Sequence, residues 1–286
     1  VSIDPDLAIG AELPAEEFSW TANDVQTFHL AVGAGGSPTD PRELRYLDDA
    51  KPKVLPTFAA VAATFHEVEA PRVQFPGVDI DLAKVVHGSQ GVTVSGPIPA
   101  AGQARTITRI TDIWDKGSAA VIVQEKITTS LDGTELWRAR SSIFARGEGG
   151  FGGERGPSNK AVLPERAPDA ETSIAILPQQ ALMYRMCGDR NPLHSDPQFA
   201  AAAGFPNPIL HGLCTYSMVC KAVTDTVLDG DVDAISSFDA RFAGVVYPGE
   251  TLACRIWLEG GRYLISVTVP ARENAPALAD VVLTTR

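Results

Sequence analysis

Asp189, Asn191 and His194 put a carboxylic acid, an amide and an imidazole within six residues, Asp189–His194. A carboxylate and a neutral imidazole side by side can hold a water between them and take its proton, which is general acid–base chemistry. Two stops bracket the set, Gly188 before it and Asp196-Pro197 after it. Asp is a good N-cap and Pro a good first helical residue, so a short helix is predicted over 197–203, ending at Gly204. The three side chains then fall on an irregular loop held by rigid flanks, where chemistry tends to sit. A second, apolar helix is predicted from His211-Gly212 to about Leu228. Its first free N–H, that of Gly212, forms a positive end able to hold a developing oxyanion.

The elements that position this loop occur twice. Asp40-Pro41 repeats the cap-plus-proline device of Asp196-Pro197, and KVLPTFAAVAATF repeats the apolar helix signal of PILHGLCTYSMV. The offsets agree, 197−41 = 156 and 209−54 = 155, which is an internal repeat. An earlier helix is expected from Thr21 or Asn23 to Val32, stopped by Gly33. Strands follow the apolar helix in each copy. They are Thr106–Trp114, Ala119–Thr128 and Glu135–Phe144 in the first, with Asp132-Gly133 as a hairpin turn. In the second they are Thr251–Leu258, Arg262–Val269 and Ala279–Thr284, with Gly260-Gly261 as the turn. Many of their positions alternate apolar and polar, as one buried face requires. The class is α+β, a sheet wrapped around a central helix in each copy. The expected units are 1–146 and 161–286, joined by a glycine-rich linker, 147–160. That linker holds a formal GxGxxG, but no helix follows it to receive a pyrophosphate, so a nucleotide fold is rejected.

At 286 residues with 44% hydrophobic and 21% charged side chains, the composition is globular. The net charge of −11 argues against general nucleic-acid or anionic-membrane binding. No apolar run is long enough to span a bilayer and no signal peptide is seen. The four cysteines, Cys187, Cys214, Cys220 and Cys254, form no CxxC and read as buried thiols of a reducing compartment. His211 with Cys214 lacks a second ligand pair for zinc. Asp229, Asp231 and Asp233 lack the spacing and closing Glu of a calcium loop. The ending LTTR is not a peroxisomal address, and a cytoplasmic protein is expected.

GDRNPLH, then SDPQFAAAAGF and PILHGLC, resembles the hydratase 2 motif of MaoC-like (R)-specific enoyl-CoA hydratases. The resemblance is strong over 184–258, moderate over 28–145 and weak in the first 20 residues and the linker. It implies a double hotdog, with two hotdog units in one chain. It implies Asp189 and His194 as catalytic residues, with Arg190, Pro192 and Leu193 in the same motif at the substrate. It also implies an acyl-CoA thioester substrate with no metal and no redox cofactor, and by analogy a homodimer. His87-Gly88 in VVHGSQ is similar to a family segment that contributes to acyl-CoA binding, with Ser89 replacing the usual acid. Lys116 in DIWDKG matches a lysine that meets the CoA, and Phe242 in ARFAGVVYPGE an aromatic beside the ligand.

The chemistry agrees with these residue types. A 2-enoyl thioester is electrophilic at C3, and adding water there builds charge on the thioester oxygen. A donor fixed at that oxygen is worth about 3 kcal/mol. Asp189 and a neutral His194 would activate the water, worth roughly 10²–10⁴-fold, and Asn191 would orient the loop or the water. The expected product is the (3R)-hydroxyacyl-CoA, on the resemblance alone. A 3-hydroxyacyl-carrier-protein dehydratase would use the same residues in reverse. A binding-only hotdog would suit the first copy, which has Gly35, Ser37 and Asp40 where the second has Asp189, Asn191 and His194.

Overall fold

The computed structural model describes residues 3–81, 84–157 and 160–286. After a one-turn helix α1 (Pro5–Ala8), the first half contains β1 (Glu16–Trp20), α2 (Ala22–Ala31) and α3 (Pro41–Leu44). A small hairpin follows, β2 (Val73–Phe75) with β3 (Val78–Ile80). Then come β4 (Val85–Val94), β5 (Gly102–Asp115), β6 (Ala119–Ser130) and β7 (Glu135–Arg146). The second half repeats the order with β8 (Ala170–Ala175), α4 (Gln180–Tyr184), α5 (Pro197–Ala202) and α6 (Gly212–Val227). It ends with β9 (Ile235–Phe242), β10 (Thr251–Glu259), β11 (Arg262–Val269) and β12 (Ala275–Thr285).

Ten strands form one antiparallel sheet in the order β1-β5-β6-β7-β4-β9-β12-β11-β10-β8. The order reads the same from either edge once the halves are exchanged, as the sequence repeat requires. The halves join where β4 pairs with β9, Ser89 opposite Arg241 through Thr93 opposite Ser237. Neither strand was foreseen, because Gly88 and Gly91 interrupt the alternation of β4. Gly91 is needed at the seam: a Cβ there would lie 2.2 Å from Asp239 Oδ1.

α6 packs against the sheet, on β8, β10, β4 and β9. It buries Cys214 through Lys221 in an unbroken run, together with Val223 and Thr224. A helix buried on all sides must satisfy its polar groups internally. Thr224 Oγ1 accordingly donates to the Cys220 carbonyl at 2.7 Å, and Tyr216 OH to the Phe238 carbonyl at 2.6 Å. Lys221 Nζ lies 2.8 Å from both Glu43 and Asp225. All four cysteines are free and buried. α2 starts on the expected Thr21, whose hydroxyl accepts from the Asp24 N–H while the Asp24 carboxylate accepts from the Thr21 N–H.

One expectation fails. KVLPTFAAVAATF does not make a long helix; it makes two 3₁₀ turns, Pro56–Ala60 and Ala62–Thr64. The cause is tertiary. The Leu55 N–H is drawn to His29 Nε2 at 3.2 Å. At the far end the loop before Asp189 presses on the same segment so closely that a Cβ on Gly188 would lie 1.8 Å from the Thr64 carbonyl oxygen. Within the glycine-rich stretch, residues 147–157 pack against the first half. The Asp115 carboxylate accepts N–H bonds from Gly117, Gly150 and Gly152, and Phe151 packs on the Ile110–Ile122 cluster. Ser158 and Asn159 of the expected linker lie outside the described residues. No helix among the described residues is long and apolar enough to cross a membrane.

Candidate active site

Gly188 ends a 3₁₀ turn with φ +100°, in the left-handed region, and so turns the chain into Asp189. The Asp189 carboxylate accepts the Asn191 N–H at 3.1 Å, and Asn191 Oδ1 accepts the Leu193 N–H at 3.1 Å. These two short-range bonds wind the loop into the 3₁₀ turn Pro192–His194. Asp196 then caps α5 through the N–H groups of Gln198 and Phe199. The local signals read from sequence therefore act where expected.

His194 is buried, with Nδ1 2.9 Å from the Ile209 carbonyl. A nitrogen facing a carbonyl must carry the proton, so in the neutral ring Nε2 keeps its lone pair. Burial pushes the His194 pKa below the usual imidazole range, opposed by the Asp189 charge and the Ile209 bond. His211, the residue before α6, stacks on His194 with centroids 3.8 Å apart and planes 28° apart. Its Nε2–H donates to the Asp189 backbone carbonyl at 3.2 Å, and its Nδ1 is buried without a partner among the described residues. Burial and the neighbouring His194 hold its pKa well below the usual range.

One donor atom each from Asp189, His194 and His211 lies within 4.8 Å of the others. Groups each ~2.8 Å from a shared water are at most ~5.6 Å apart, so this spacing allows one water between them. A metal ion fits less well. It needs ~2.1 Å to each nitrogen, whereas the two rings stack with centroids 3.8 Å apart, and one nitrogen of each already faces a backbone carbonyl. The Gly212 N–H is the first of α6 and meets no acceptor among the described residues.

These groups open onto a cavity of about 450 Å³, walled by His87, Asn191, Leu193, Gly212 and Phe242 among others. Phe242, the last residue of β9, lies 4.7 Å from the His87 ring and over Gly212, where a Cβ would sit 3.0 Å from its ring atoms. A second cavity of about 540 Å³ runs under the 3₁₀ turns and shares His87, Gln124, Ser141, Asp189 and Leu213 with the first. The space thus passes Asp189 on its way from one unit toward the other.

Residues 159–274 match the MaoC-like domain, and residues 18–147 match the hydratase 2 N-terminal domain of MFE-2. The chain is 61% identical over 281 residues to the enoyl-CoA hydratase ChsH3 of Mycobacterium tuberculosis, covering 98% of each. This chain belongs to the MaoC-like hydratase 2 family. A MaoC-like dehydratase from Phytophthora capsici superposes with a TM-score of 0.85 at 26% identity, covering 99% of this chain and 98% of that one. A Mycobacterium tuberculosis protein described as a double hotdog superposes at 0.57, with 11% identity, covering 99% and 97%. The fold is accordingly the α+β double hotdog.

The remaining motif residues of the family resemblance separate into three groups. Leu193 and Phe242 stand in the cavity wall, as does His87, whose Nε2 is buried without a partner among the described residues and whose pKa burial lowers to about 4. Gly88 serves the strand: it sits in a bulge of β4, where a Cβ would lie 2.7 Å from Ser142 Oγ. Arg190 and Pro192 do not line the cavity; Arg190 reaches the Glu67 carbonyl and the Met186 sulfur. Lys116 is also elsewhere, on the β5–β6 hairpin, bonded to the Arg155 carbonyl and over the Trp114 ring. The folded 147–157 segment brings Arg155 to it. Arg146 lines the cavity. Sequence reading missed His211 as a site residue, although HG at the start of an apolar helix was in view.

Proposed function

We propose that this chain hydrates trans-2-enoyl-CoA reversibly to (3R)-3-hydroxyacyl-CoA, as a hydro-lyase. One observation carries the reading: a carboxylate and a neutral imidazole nitrogen at water-sharing distance, beside an unengaged helix N-terminal N–H, on the wall of a cavity. Water held between Asp189 and His194 attacks C3. Its C3–O bond forms as the water O–H breaks, and the freed proton passes through the pair to C2. The thioester oxygen takes charge in between and is held by Gly212 N–H. His211 acts through others, by donating to the Asp189 carbonyl and stacking on His194. Asn191 holds the loop's turn. Every step uses a side chain, the backbone or water, so the reading calls for no metal or redox cofactor.

The units divide the labour in this reading. Unit 161–286 carries the chemistry, and unit 1–146 supplies room for the acyl group where its helix is replaced by 3₁₀ turns. Gly35 and Asp40 support this: Asp40 is spent capping α3 and pairing with Arg42, and the Gly35 N–H on Glu43. The buried free thiols suit a reducing, cytoplasmic setting. The working form in this reading is a homodimer with no nucleic-acid or membrane partner. The test is turnover of crotonyl-CoA and longer 2-enoyl-CoAs, with chiral analysis of the product and matched acyl-carrier-protein substrates. A (3S) product, or a large carrier-protein preference, would overturn it.

A further inference from the structure

The second cavity does not have the wall that a plain alkyl chain calls for. Register across β4, β7 and β6 sets Gln90, Ser141 and Gln124 in one row, and Ala139 and Lys126 in the next. All five line the cavity. Beyond Lys126 on β5 stands Thr108, buried on the same side. Lys126 makes no hydrogen bond or ion pair among the described residues. Glu16 on the cavity rim is the charge that acts on it, and burial pushes its pKa down. His87, beside the thioester end, shares a row with Ile143 and Ile122. Lys126 is four residues further along β6 (126−122), about 13 Å between backbone positions at the usual strand rise, and its long side chain still brings its charge to bear on His87.

An alkyl chain laid here would strip water from two amides, a hydroxyl and an ammonium and return no hydrogen bond. An anionic tail is also poorly matched. The wall already holds Glu16, Glu67, Glu69 and Asp189 against Arg72 and Lys126. An uncharged oxygen satisfies both conditions. We propose that the acyl group taken by this chain carries an oxo or hydroxyl oxygen remote from the thioester, received by Lys126 with Gln90 and Gln124. This inference rests on the hydration reading above and adds a substrate class to it.

The test compares kcat/KM for trans-2-enoyl-CoAs of matched length, about 8 to 14 carbons, with an alkyl, an oxo or a carboxylate end, in the wild type, Lys126→Met and Lys126→Arg. The expected result is an oxo-over-alkyl ratio of roughly tenfold, the worth of one hydrogen bond to a charged group. The ratio falls toward one in Lys126→Met and is partly retained in Lys126→Arg, which keeps a donor. An alkyl substrate as good as the oxo one in the wild type would overturn the inference. So would a ratio unmoved by Lys126→Met, or a carboxylate end preferred to both. Crotonyl-CoA separates the two levels: if the wild type turns it over, the thioester reading stands whatever the tail series gives. A wild type inert toward crotonyl-CoA removes the hydration reading, and this inference with it.

Discussion

Asp189→Asn isolates the charge at the site from the shape of the loop. The Asp189 carboxylate has one backbone duty, accepting the Asn191 N–H at 3.1 Å. An amide oxygen performs that duty equally well, and the His211 bond goes to the Asp189 backbone carbonyl, which the substitution leaves alone. The loop therefore keeps its turn, and stability is expected to change by less than about 1 kcal/mol, as for a surface-like exchange. The chemistry loses more. The amide cannot accept the water's proton, and His194 loses the one charge that offsets its burial. Loss of positioned proton transfer costs roughly 10²–10⁴-fold, which is about 2.7–5.4 kcal/mol in the barrier. The assay is crotonyl-CoA hydration at saturating substrate, alongside thermal unfolding. A variant retaining more than a tenth of wild-type kcat refutes the role of the carboxylate. A variant that loses activity and melts many degrees lower refutes the separation of charge from shape.

The active form of His194 is the unprotonated one, and burial lowers its pKa, so kcat/KM should hold from neutral pH down past 6.5 and fall only in more acid solution; an acid limb centred at or above 6.5 would contradict the buried neutral ring. His29 is buried with Nδ1 donating to the Tyr46 carbonyl and Nε2 accepting the Leu55 N–H, and its pKa is lowered to about 4. The unfolded chain takes up that proton below about pH 6.5 and the folded chain does not until near 4, so stability is lost as pH falls through this window, by about 2 kcal/mol between pH 6.5 and 5. His87, His194 and His211, also buried with lowered pKa values, act in the same direction, so urea unfolding at the two pH values should show at least this loss, and equal midpoints would contradict it. Gly188→Ala puts a methyl group 1.8 Å from the Thr64 carbonyl oxygen at a φ of +100°. Since both partners are backbone, a loss of more than about 3 kcal/mol is expected, read as a lower melting temperature; a near-native melt would show that the loop can move off Thr64.

What was legible in the sequence is what short-range chemistry decides. Asp196-Pro197, Asp40-Pro41 and Thr21 announce helix starts because a cap needs only the next three N–H groups, and each caps a helix in the structure. Asp132-Gly133 and Gly260-Gly261 announce hairpins for the same reason, and Gly133, Gly260 and Gly261 have positive φ. What was not legible depends on partners far along the chain. The seam between halves pairs Ser89 with Arg241, and nothing within ten residues of either strand encodes that. The helix forecast over 53–65 failed because its competitors are distant. His29 claims the first N–H, and the backbone around Gly188 lies against the last turn. His211 shows the same limit at the site. Its ring matters through a stack on His194 and a bond to the Asp189 carbonyl, both made only once the loop has folded back on the start of α6. Lys116 is the converse case. The motif named the residue, but the packed segment after β7 supplies a carbonyl that holds it. A motif thus fixes a residue's type and neighbours, whereas its access to the cavity is settled by whichever distant backbone reaches it first. The same reasoning makes Lys126 informative. No motif marks it, and the register of β6 on β7 places on the cavity wall a cation with no hydrogen bond or ion pair among the described residues.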